Sequence, residues 1–331
     1  MDGQKSTRQQ IRTNRLAYVH IPRGRARTPA LYIYVEKTLE FIVFKEDTME
    51  KAVRKYWPIF VLPTAAAFCV GFLYPFVQGL YLSFCSFITI DRAKFIGLQN
   101  YKYALSDATF LHAFWFTALF TIVVTILINV GAFALALALT SKLKASNLFR
   151  TIFFMPNLIG GIVLGYIWQI LLNGALTALE KPLLALDEKY GFLGLLILMC
   201  WQQIGYMMII YIAGLQSIPD DYIEAAEIDG ATKGQILWKI KIPNVMPSIT
   251  ICMFLSLTNG FKLFDQNLAL TGGEPAHASE MLALNIYSTF YARSGPQWKG
   301  YGQAKAVLFC IMVIIISMIQ LRATKSKEVQ Q

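Results

Sequence analysis

Long apolar segments alternate with short polar segments along most of this 331-residue chain. From residue 57 onward, the apolar runs approach the roughly 20 residues that an α-helix needs to cross the hydrocarbon core of a bilayer. We predict six spanning helices, at residues 57–84, 113–139, 152–173, 192–214, 245–264 and 303–321. The pattern therefore predicts an all-α integral membrane protein whose six-helix transmembrane domain covers residues 57–322.

The composition supports a membrane protein. Hydrophobic residues make up 56% of the chain and charged residues only 15%, with a mean hydropathy of +0.48. Soluble domains carry about 25% charged residues. The low charged fraction therefore argues against a soluble globular protein.

The net charge of +10 is distributed unevenly along the chain. If the N-terminus is cytoplasmic, about 12 Lys and Arg residues precede the first span, and about nine more lie in the two inner loops and the tail. The three outer loops together hold only about seven. Because basic residues concentrate on the cytoplasmic side of membrane proteins, this asymmetry predicts that both termini lie inside.

The N-terminal region differs from the rest of the chain. We expect residues 1–56 to form a basic cytoplasmic extension, whose first 30 residues rest on anionic lipid headgroups. Within it, residues 31–44 are mostly apolar but too few to span a bilayer. They predict an interfacial helix, or alternatively a segment that packs along a partner subunit. Residues 323–331 are expected to form a cytoplasmic tail.

A polar segment, residues 215–247, separates the fourth and fifth predicted spans. Gly230 suits a left-handed end of a first short helix. Thr232 and Gln235 form the spacing of a capping box, which starts a second helix. Pro243 and Pro247 end or bend that second helix before the next apolar run. The segment predicts two short helices joined at a glycine, an arrangement typical of a loop on which a partner docks.

The same segment resembles the EAA loop of the membrane subunits of bacterial ABC importers. The pattern of that loop is Glu-Ala-Ala, three residues, Gly, nine residues, Ile, any residue, Leu and Pro. The chain matches every fixed position from Glu224 to Pro243 except the Leu, which is Ile242. The flanking residues are similar to the carbohydrate-importer branch, which contains the larger maltose-transport membrane subunit and glycerol-phosphate-type permeases.

Other stretches support the resemblance, which covers roughly residues 57–322. They are Gly97–Tyr101, Arg150–Pro156, Leu270–Gly273 and Gly302–Ala304, and they fall in the expected order and spacing. The resemblance implies a type I ABC importer membrane domain in the bacterial plasma (inner) membrane. It also implies that eight residues contact an ATPase. These ATPase-coupling residues are Glu224, Ala225, Ala226, Asp229, Gly230, Ala231, Ile240 and Pro243.

The resemblance further implies a set of partners. They are a second, related permease subunit, two cytoplasmic ATPase subunits, an extracytoplasmic solute-binding protein and membrane lipid, with no nucleic acid. No cofactor is expected on this chain, while ATP and Mg²⁺ would be bound by the ATPase subunits. The chain would form half of the translocation path and couple it to ATP hydrolysis.

Polar side chains within the spans suggest where a sugar passes. The candidates are Gln202, Gln203, Tyr206, Asn259 and Lys262. Amides and hydroxyls suit sugar hydroxyls, while aromatic rings such as those of Tyr206 and Phe264 suit the apolar face of a sugar. The resemblance places sugar contacts on the helices on either side of the coupling loop. The alternative role is hydrogen bonding between helices, and Lys262 could pair with Asp265 three residues on.

Other functions fit the sequence less well. The chain has no Gly-x-x-x-x-Gly-Lys-Ser/Thr loop, so we expect no ATP binding and no enzymatic activity in this chain by itself. His20, His112 and His277 are isolated, and no metal site is expected. An ion-coupled secondary transporter would need ionisable groups near the middle of the bilayer, and the spans are nearly free of carboxylates. An importer of the same architecture for another solute, such as glycerol phosphate, remains open.

Overall fold

The computed structural model describes residues 56–141 and 145–325. The chain divides into two compact units, Met1–Pro75 and Phe76–Gln331. The predicted basic extension, the interfacial helix at residues 31–44 and the end of the predicted tail lie outside the described residues. The architecture below concerns the described residues.

Helices form most of the described chain. In order they are α1 (Tyr56–Leu82), α2 (Gln99–Ser106), α3 (Ala108–Thr140), α4 (Ser146–Phe154), α5 (Gly161–Ala178), α6 (Glu188–Gln216), α7 (Asp220–Ile228), α8 (Lys233–Asn244), α9 (Met246–Phe261), α10 (Asp265–Leu270), α11 (Leu282–Tyr287) and α12 (Pro296–Lys325). A short antiparallel pair, β1 (Cys85–Ser86) and β2 (Lys94–Phe95), precedes α2. The predicted all-α class is therefore confirmed.

Six membrane crossings fit the described helices. Five of them, α1, α3, α5, α6 and α12, are long and apolar enough to span a bilayer, and the bent pair α8–α9 can make a sixth. The two members of that pair meet at an angle of 69°. This bend follows Pro243, as the sequence predicts, because a proline lacks the N–H that would continue the helical ladder.

The third crossing begins later than predicted. The prediction starts it at residue 152, whereas α5 starts at Gly161. Residues 146–154 instead form the separate helix α4, and a 3₁₀ turn at Met155–Leu158 follows it. Pro156 lies in this turn and lacks a backbone N–H, which interrupts the α-helical ladder.

The hydrophobic core lies where α3 and α6 pack along each other and along α9. Phe120 of α3 is fully buried and meets Phe192 of α6 edge to face, with 5.6 Å between ring centroids. Aromatic pairs prefer this geometry because the positive edge of one ring faces the negative face of the other. Val124, Ile128 and other apolar side chains of α3 extend the same core along the helix.

The crossing of α4 over α6 depends on Gly205. A Cβ atom placed at Gly205 would lie 1.7 Å from the carbonyl oxygen of Phe153. Only a residue without a side chain allows the two backbones to approach this closely. The Arg150–Pro156 stretch is thus fixed against the core by a glycine on another helix.

The connecting segment, residues 262–295, packs against the helical bundle between α9 and α12. Asn267 is fully buried in it, donating a hydrogen bond to the carbonyl of Ser279 (2.8 Å) and accepting one from the N–H of Met281 (2.9 Å). The N–H of Leu282 donates to the hydroxyl of Thr117 on α3, at 2.8 Å. These bonds hold α10 and α11 in place although both are short.

Candidate functional site

The segment between α6 and α9 folds as the sequence predicts. Gly230 has a φ of +78°, and the N–H of Ala231 donates to the carbonyl of Ala226 at 2.9 Å, which closes the end of α7. The capping box is present: the N–H of Thr232 donates to Gln235 Oε1 (2.7 Å) and the N–H of Gln235 donates to Thr232 Oγ1 (3.3 Å). Two short helices therefore meet at a left-handed glycine.

Charged and apolar side chains of this segment are exposed. Glu224, Ala225 and Asp229 are exposed, while Ala226, Ala231, Ile240 and Pro243 are half-buried. Ile228 is 86% exposed and Trp238 is 70% exposed. Exposed apolar side chains beside carboxylates are typical of a surface that a partner covers.

Two buried side chains fix that surface to the rest of the molecule. Ile236 of α8 and Val245, at the bend between α8 and α9, are both buried. The short run from Asp220 to Asp229 carries five carboxylates and neither Lys nor Arg. An acidic helix of this kind is electrostatically complementary to a basic partner surface.

Two of the predicted path residues meet across α6 and α9. The Nδ2 of Asn259 donates to Oε1 of Gln203 at 3.4 Å. Gln202, next to Gln203, accepts a hydrogen bond from Gln266 (2.8 Å) and donates to the carbonyl of Ile159 (3.3 Å). Both glutamines are buried, so their amides bond within the chain, which is the packing role that the sequence left open.

Tyr206 and Lys262 lie in different surroundings. Tyr206 is half-buried, with its ring 6.4 Å from that of Phe154. Lys262 caps the C-terminus of α9 and is exposed. Among the ion pairs between described residues, none joins Lys262 to Asp265. The structure thus brings Gln203 and Asn259 together and leaves the Lys262 side chain free of that local pairing.

A second polar group lies in the middle of the core. Asn129 of α3 donates to Ser256 of α9 at 2.8 Å and accepts from the hydroxyl of Tyr211 of α6 at 2.7 Å. One amide therefore links three helices. Hydrogen bonds between membrane helices contribute roughly 0.6 to 2 kcal/mol each.

A buried cation that the sequence analysis did not single out lies near the start of α12. Lys305 is fully buried, and its Nζ donates to Asp107 Oδ2 (2.9 Å), Asn285 Oδ1 (2.9 Å) and Thr289 Oγ1 (3.0 Å). All three ammonium donors are therefore satisfied. The sequence signal was an ionisable residue inside an apolar span, which in membranes marks a paired or functional group.

Asp107 is the anion of this cluster and caps the N-terminus of α3. Burial by itself would raise the pKa of Asp107. Hydrogen bonds from Tyr301, Lys305 and Thr109, together with the charge of Lys305, outweigh burial and hold the pKa well below its usual value. Asp107 is therefore ionised at every physiological pH, and the ion pair joins α3, α11 and α12.

No metal site accompanies these polar groups in the described part of the chain. Groups of three or more His, Cys, Asp or Glu side chains that could hold a metal ion are absent there. His277 lies near Glu280, with 3.2 Å between Nδ1 and Oε2, but no third ligand joins them.

The family model that matches this chain is that of the binding-protein-dependent transport system inner membrane component, over residues 130–325. The match includes the whole segment from α6 to α9. It also includes Lys305 and all five predicted path residues.

Curated relatives align over most of their length. The chain is 40% identical to the probable starch degradation products transport system permease of Thermoanaerobacterium thermosulfurigenes, over 83% of this chain and 95% of the relative. It is 32% identical to the multiple sugar-binding transport system permease of Streptococcus mutans, over 85% of this chain and 100% of the relative.

A solved structure has the same fold. It is a chain of a bacterial ABC transporter involved in the import of the acidic polysaccharide alginate, with a TM-score of 0.71 and 18% identity. The alignment covers 84% of this chain and 99% of that chain. The predicted fold of an importer membrane domain is thereby confirmed.

The buried ion pair makes the first testable prediction. Asp107→Asn leaves the Lys305 ammonium buried without its anion, and Lys305→Met leaves the Asp107 carboxylate without its cation. Removing one partner of a buried pair costs roughly 3–5 kcal/mol. Each single variant should therefore lower the thermal unfolding midpoint of the purified protein clearly at pH 7.

The double variant Asp107→Asn, Lys305→Met is the informative comparison. It removes both charges, so it should be more stable than the sum of the two single changes predicts. Lys102→Met, at an exposed position on α2, is the control and should have little effect. Because the folded-state pKa of Asp107 is lowered, the stabilisation should persist at neutral and mildly acidic pH and be lost only in strong acid. If the loss of stability in the double variant equals the sum of the two single losses, Asp107 and Lys305 do not stabilise the fold as a pair.

Proposed function

Because the chain belongs to the family of binding-protein-dependent transport system inner membrane components, we propose that it is the membrane subunit of an ATP-driven carbohydrate importer. It is a multi-pass inner membrane protein and a transport permease rather than an enzyme. The observation that carries the proposal is the ordered, exposed and acidic coupling surface formed by α7, Gly230 and α8. A spanning protein has little need of such a surface unless a partner docks there.

Carbohydrate is the favoured class of solute. Two relatives, at 40% and 32% identity over most of the chain, are named for starch degradation products and for multiple sugars. The polar groups that meet between α6 and the helices α9 and α10 are amides rather than a carboxylate cluster. Neutral amides suit neutral hydroxylated solutes.

The proposed complex contains a second permease subunit, two cytoplasmic ATPase subunits that bind ATP and Mg²⁺, and an external solute-binding protein. Closure of the ATPases would move α7 and α8, which lie directly between α6 and α9. Because these helices continue into the core, the movement would rotate the bundle as a rigid body between inward-open and outward-open states.

The proposed topology has both termini in the cytoplasm. In this topology α6 ends on the inside, so the coupling surface faces the ATPases. The N-terminal end of α3 and the connecting segment then face outward, and with them the Asp107–Lys305 pair. The charge asymmetry of the sequence supports this arrangement.

The proposed sugar path runs between α6 and α9. Asn259 and Tyr206 are half-buried and have capacity for further contacts, while Lys262 is exposed at the end of α9. Gln202 and Gln203 are the supporting residues, since their amides bond to Gln266 and Asn259. A sugar hydroxyl that replaces one of these amide partners would exchange one hydrogen bond for another at small net cost.

Topology can be tested with single cysteines in a cysteine-free background. Cysteines at Gln99 and Lys189 should react with a membrane-impermeant thiol reagent in intact spheroplasts, because both positions are exposed and assigned to the outside. A cysteine at Lys233 should react only after the membrane is opened. Labelling of Lys233 in intact spheroplasts would contradict both the orientation and the docking role.

The path can be tested by comparing two amides. Asn259→Leu should lower sugar uptake by reconstituted complexes, or change the order of sugar preference, with little loss of thermal stability. Asn129→Leu is the comparison, because that amide bonds to three helices. It should lower stability while the remaining protein keeps the wild-type order of sugar preference. If Asn259→Leu instead lowers thermal stability and leaves the order of sugar preference unchanged, Asn259 has a packing role.

Docking can be tested at Glu224 and Gly230. Loss of one side of a buried charged contact typically costs about 2–5 kcal/mol, so Glu224→Ala should weaken ATPase association about tenfold or more. Gly230→Val should also weaken ATPase association, because a β-branched residue resists the positive φ that the turn between α7 and α8 requires. Uptake and ATPase stimulation should fall together, while the permease still inserts in the membrane.

Glu188→Ala is the matched control for Glu224→Ala. Glu188 is also an exposed carboxylate in the first helical turns, but it begins α6 on the opposite side of the membrane in the proposed topology. It should leave ATPase stimulation unchanged. Normal ATPase stimulation and sugar uptake in a Glu224→Ala, Gly230→Val double variant would overturn the proposed function.

A further inference from the structure

A row of aromatic rings leads away from the end of α9. The ring of Phe264 lies 5.1 Å from that of Tyr287, and Tyr287 lies 4.9 Å from Tyr291, centroid to centroid. Phe290 adds a fourth ring 4.8 Å from Tyr291. Tyr287 is 43% exposed and Tyr291 is 69% exposed. The row therefore offers aromatic surface to a ligand as well as packing internally.

These rings line a groove of about 370 Å³ against the first turns of α12. This groove, which we call the tyrosine groove, is lined by nine residues: Phe264, Ala283, Ile286, Tyr287, Phe290, Tyr291, Gly302, Gln303 and Ala306. Its volume lies at the low end of the roughly 300–1,000 Å³ of ligand pockets in proteins. The groove is therefore large enough to receive a single sugar ring.

The backbone that carries the two tyrosines is fixed from its buried side. Asn285 and Thr289 lie on either side of Tyr287 in sequence, and both accept hydrogen bonds from the buried Lys305. Gly302 lets α12 approach the residues around Phe290 closely, since a Cβ at Gly302 would lie 2.9 Å from the Cβ of Phe290. A ligand that binds would thus meet a backbone already fixed, which lowers the entropic cost of binding.

The chemistry of the groove favours a sugar over a lipid chain. A lipid tail needs only apolar surface, whereas two tyrosines and Gln303 stand among the apolar residues that line the groove. Flat aromatic faces suit the apolar face of a sugar ring, and neighbouring amide and hydroxyl groups suit its hydroxyls. Exposed tyrosines that serve only as interfacial anchors need neither a row nor a groove.

The row also begins where the proposed path ends. Phe264 follows the last residue of α9 by three positions, and Asn259 lies on the last turns of the same helix. A ligand leaving the groove along the row therefore arrives at the end of the helix that carries Asn259.

We propose that the tyrosine groove is a carbohydrate subsite at the outer side of the membrane, where one sugar ring stacks on Tyr287 and Tyr291 before it reaches α9. The inference rests on the proposed function, because it deepens the carbohydrate role of the same path. It adds a place where ring-shaped solutes are distinguished from solutes without a ring.

The test uses the complete importer in proteoliposomes with its solute-binding protein. The probes are maltose, maltotriose and maltotetraose. Tyr287→Leu and Tyr291→Leu should each lower uptake of the three sugars about 2- to 10-fold, the effect of losing one aromatic contact. Tyr291→Phe keeps the ring and should retain most of the uptake.

Trp115→Leu is the matched control. Trp115 is 69% exposed near the outer end of α3 and lies outside the groove. It should leave sugar uptake unchanged. A loss equal to that of Tyr291→Leu would assign the tyrosines to interfacial anchoring and overturn the subsite. ATPase activity stimulated by the unliganded binding protein should stay at the wild-type level in every variant, which separates a lost subsite from failed assembly.

The outcomes separate this inference from the function it rests on. If the wild-type complex imports none of the three sugars, the carbohydrate function fails. If the wild type imports them and both leucine variants do so equally well, the subsite alone is overturned. Tyr291 is the more exposed ring, so Tyr291→Leu keeps the test valid even where Tyr287→Leu lowers the yield of folded protein.

Discussion

Hydrocarbon offers no hydrogen-bond partner, so each polar group inside the bilayer has to find one within the protein. Two clusters of polar side chains in the helical bundle meet this requirement. Lys305 gives all three of its donors to the side chains of Asp107, Asn285 and Thr289. Asn129 likewise joins α3, α6 and α9 through one amide. Because each cluster is complete only when several helices are in place, polar residues specify how the apolar helices are arranged.

The two segments that flank α9 differ in how they are held to the rest of the chain. The segment between α9 and α12 is tied to α3 by the ion pair and by the bond from Leu282 to Thr117. The coupling segment is instead fixed at Ile236 and Val245 and otherwise exposed. The segment after α9 is thus bonded into the helical core, whereas the segment between α6 and α9 leaves most of its side chains exposed.

The sequence predicts what depends on neighbouring residues and misses what depends on distant ones. The turn at Gly230 and the capping box at Thr232 are local, so three or four residues contain the whole signal. The break before α5 depends on Pro156 and on the contact with Gly205, which lies about fifty positions further along the chain. The partners of Lys305 are also spread widely, from Asp107 to Thr289, and no spacing rule links them. An isolated lysine in an apolar span signals that a partner exists but does not identify it.

The predicted sugar path also combines residues that the sequence predicts with contacts that depend on distant parts of the chain. Polar residues at Gln202, Gln203 and Asn259 are visible in the sequence, yet their roles depend on which amides face each other across helices. In the structure, Asn259 faces Gln203 and Gln202 faces Gln266. Because an amide pair contains both a donor and an acceptor, it can release one partner to a sugar hydroxyl and keep every buried group satisfied. A path closed by such pairs can open for a hydroxylated solute at small cost, whereas opening for an apolar solute would leave amides unpaired.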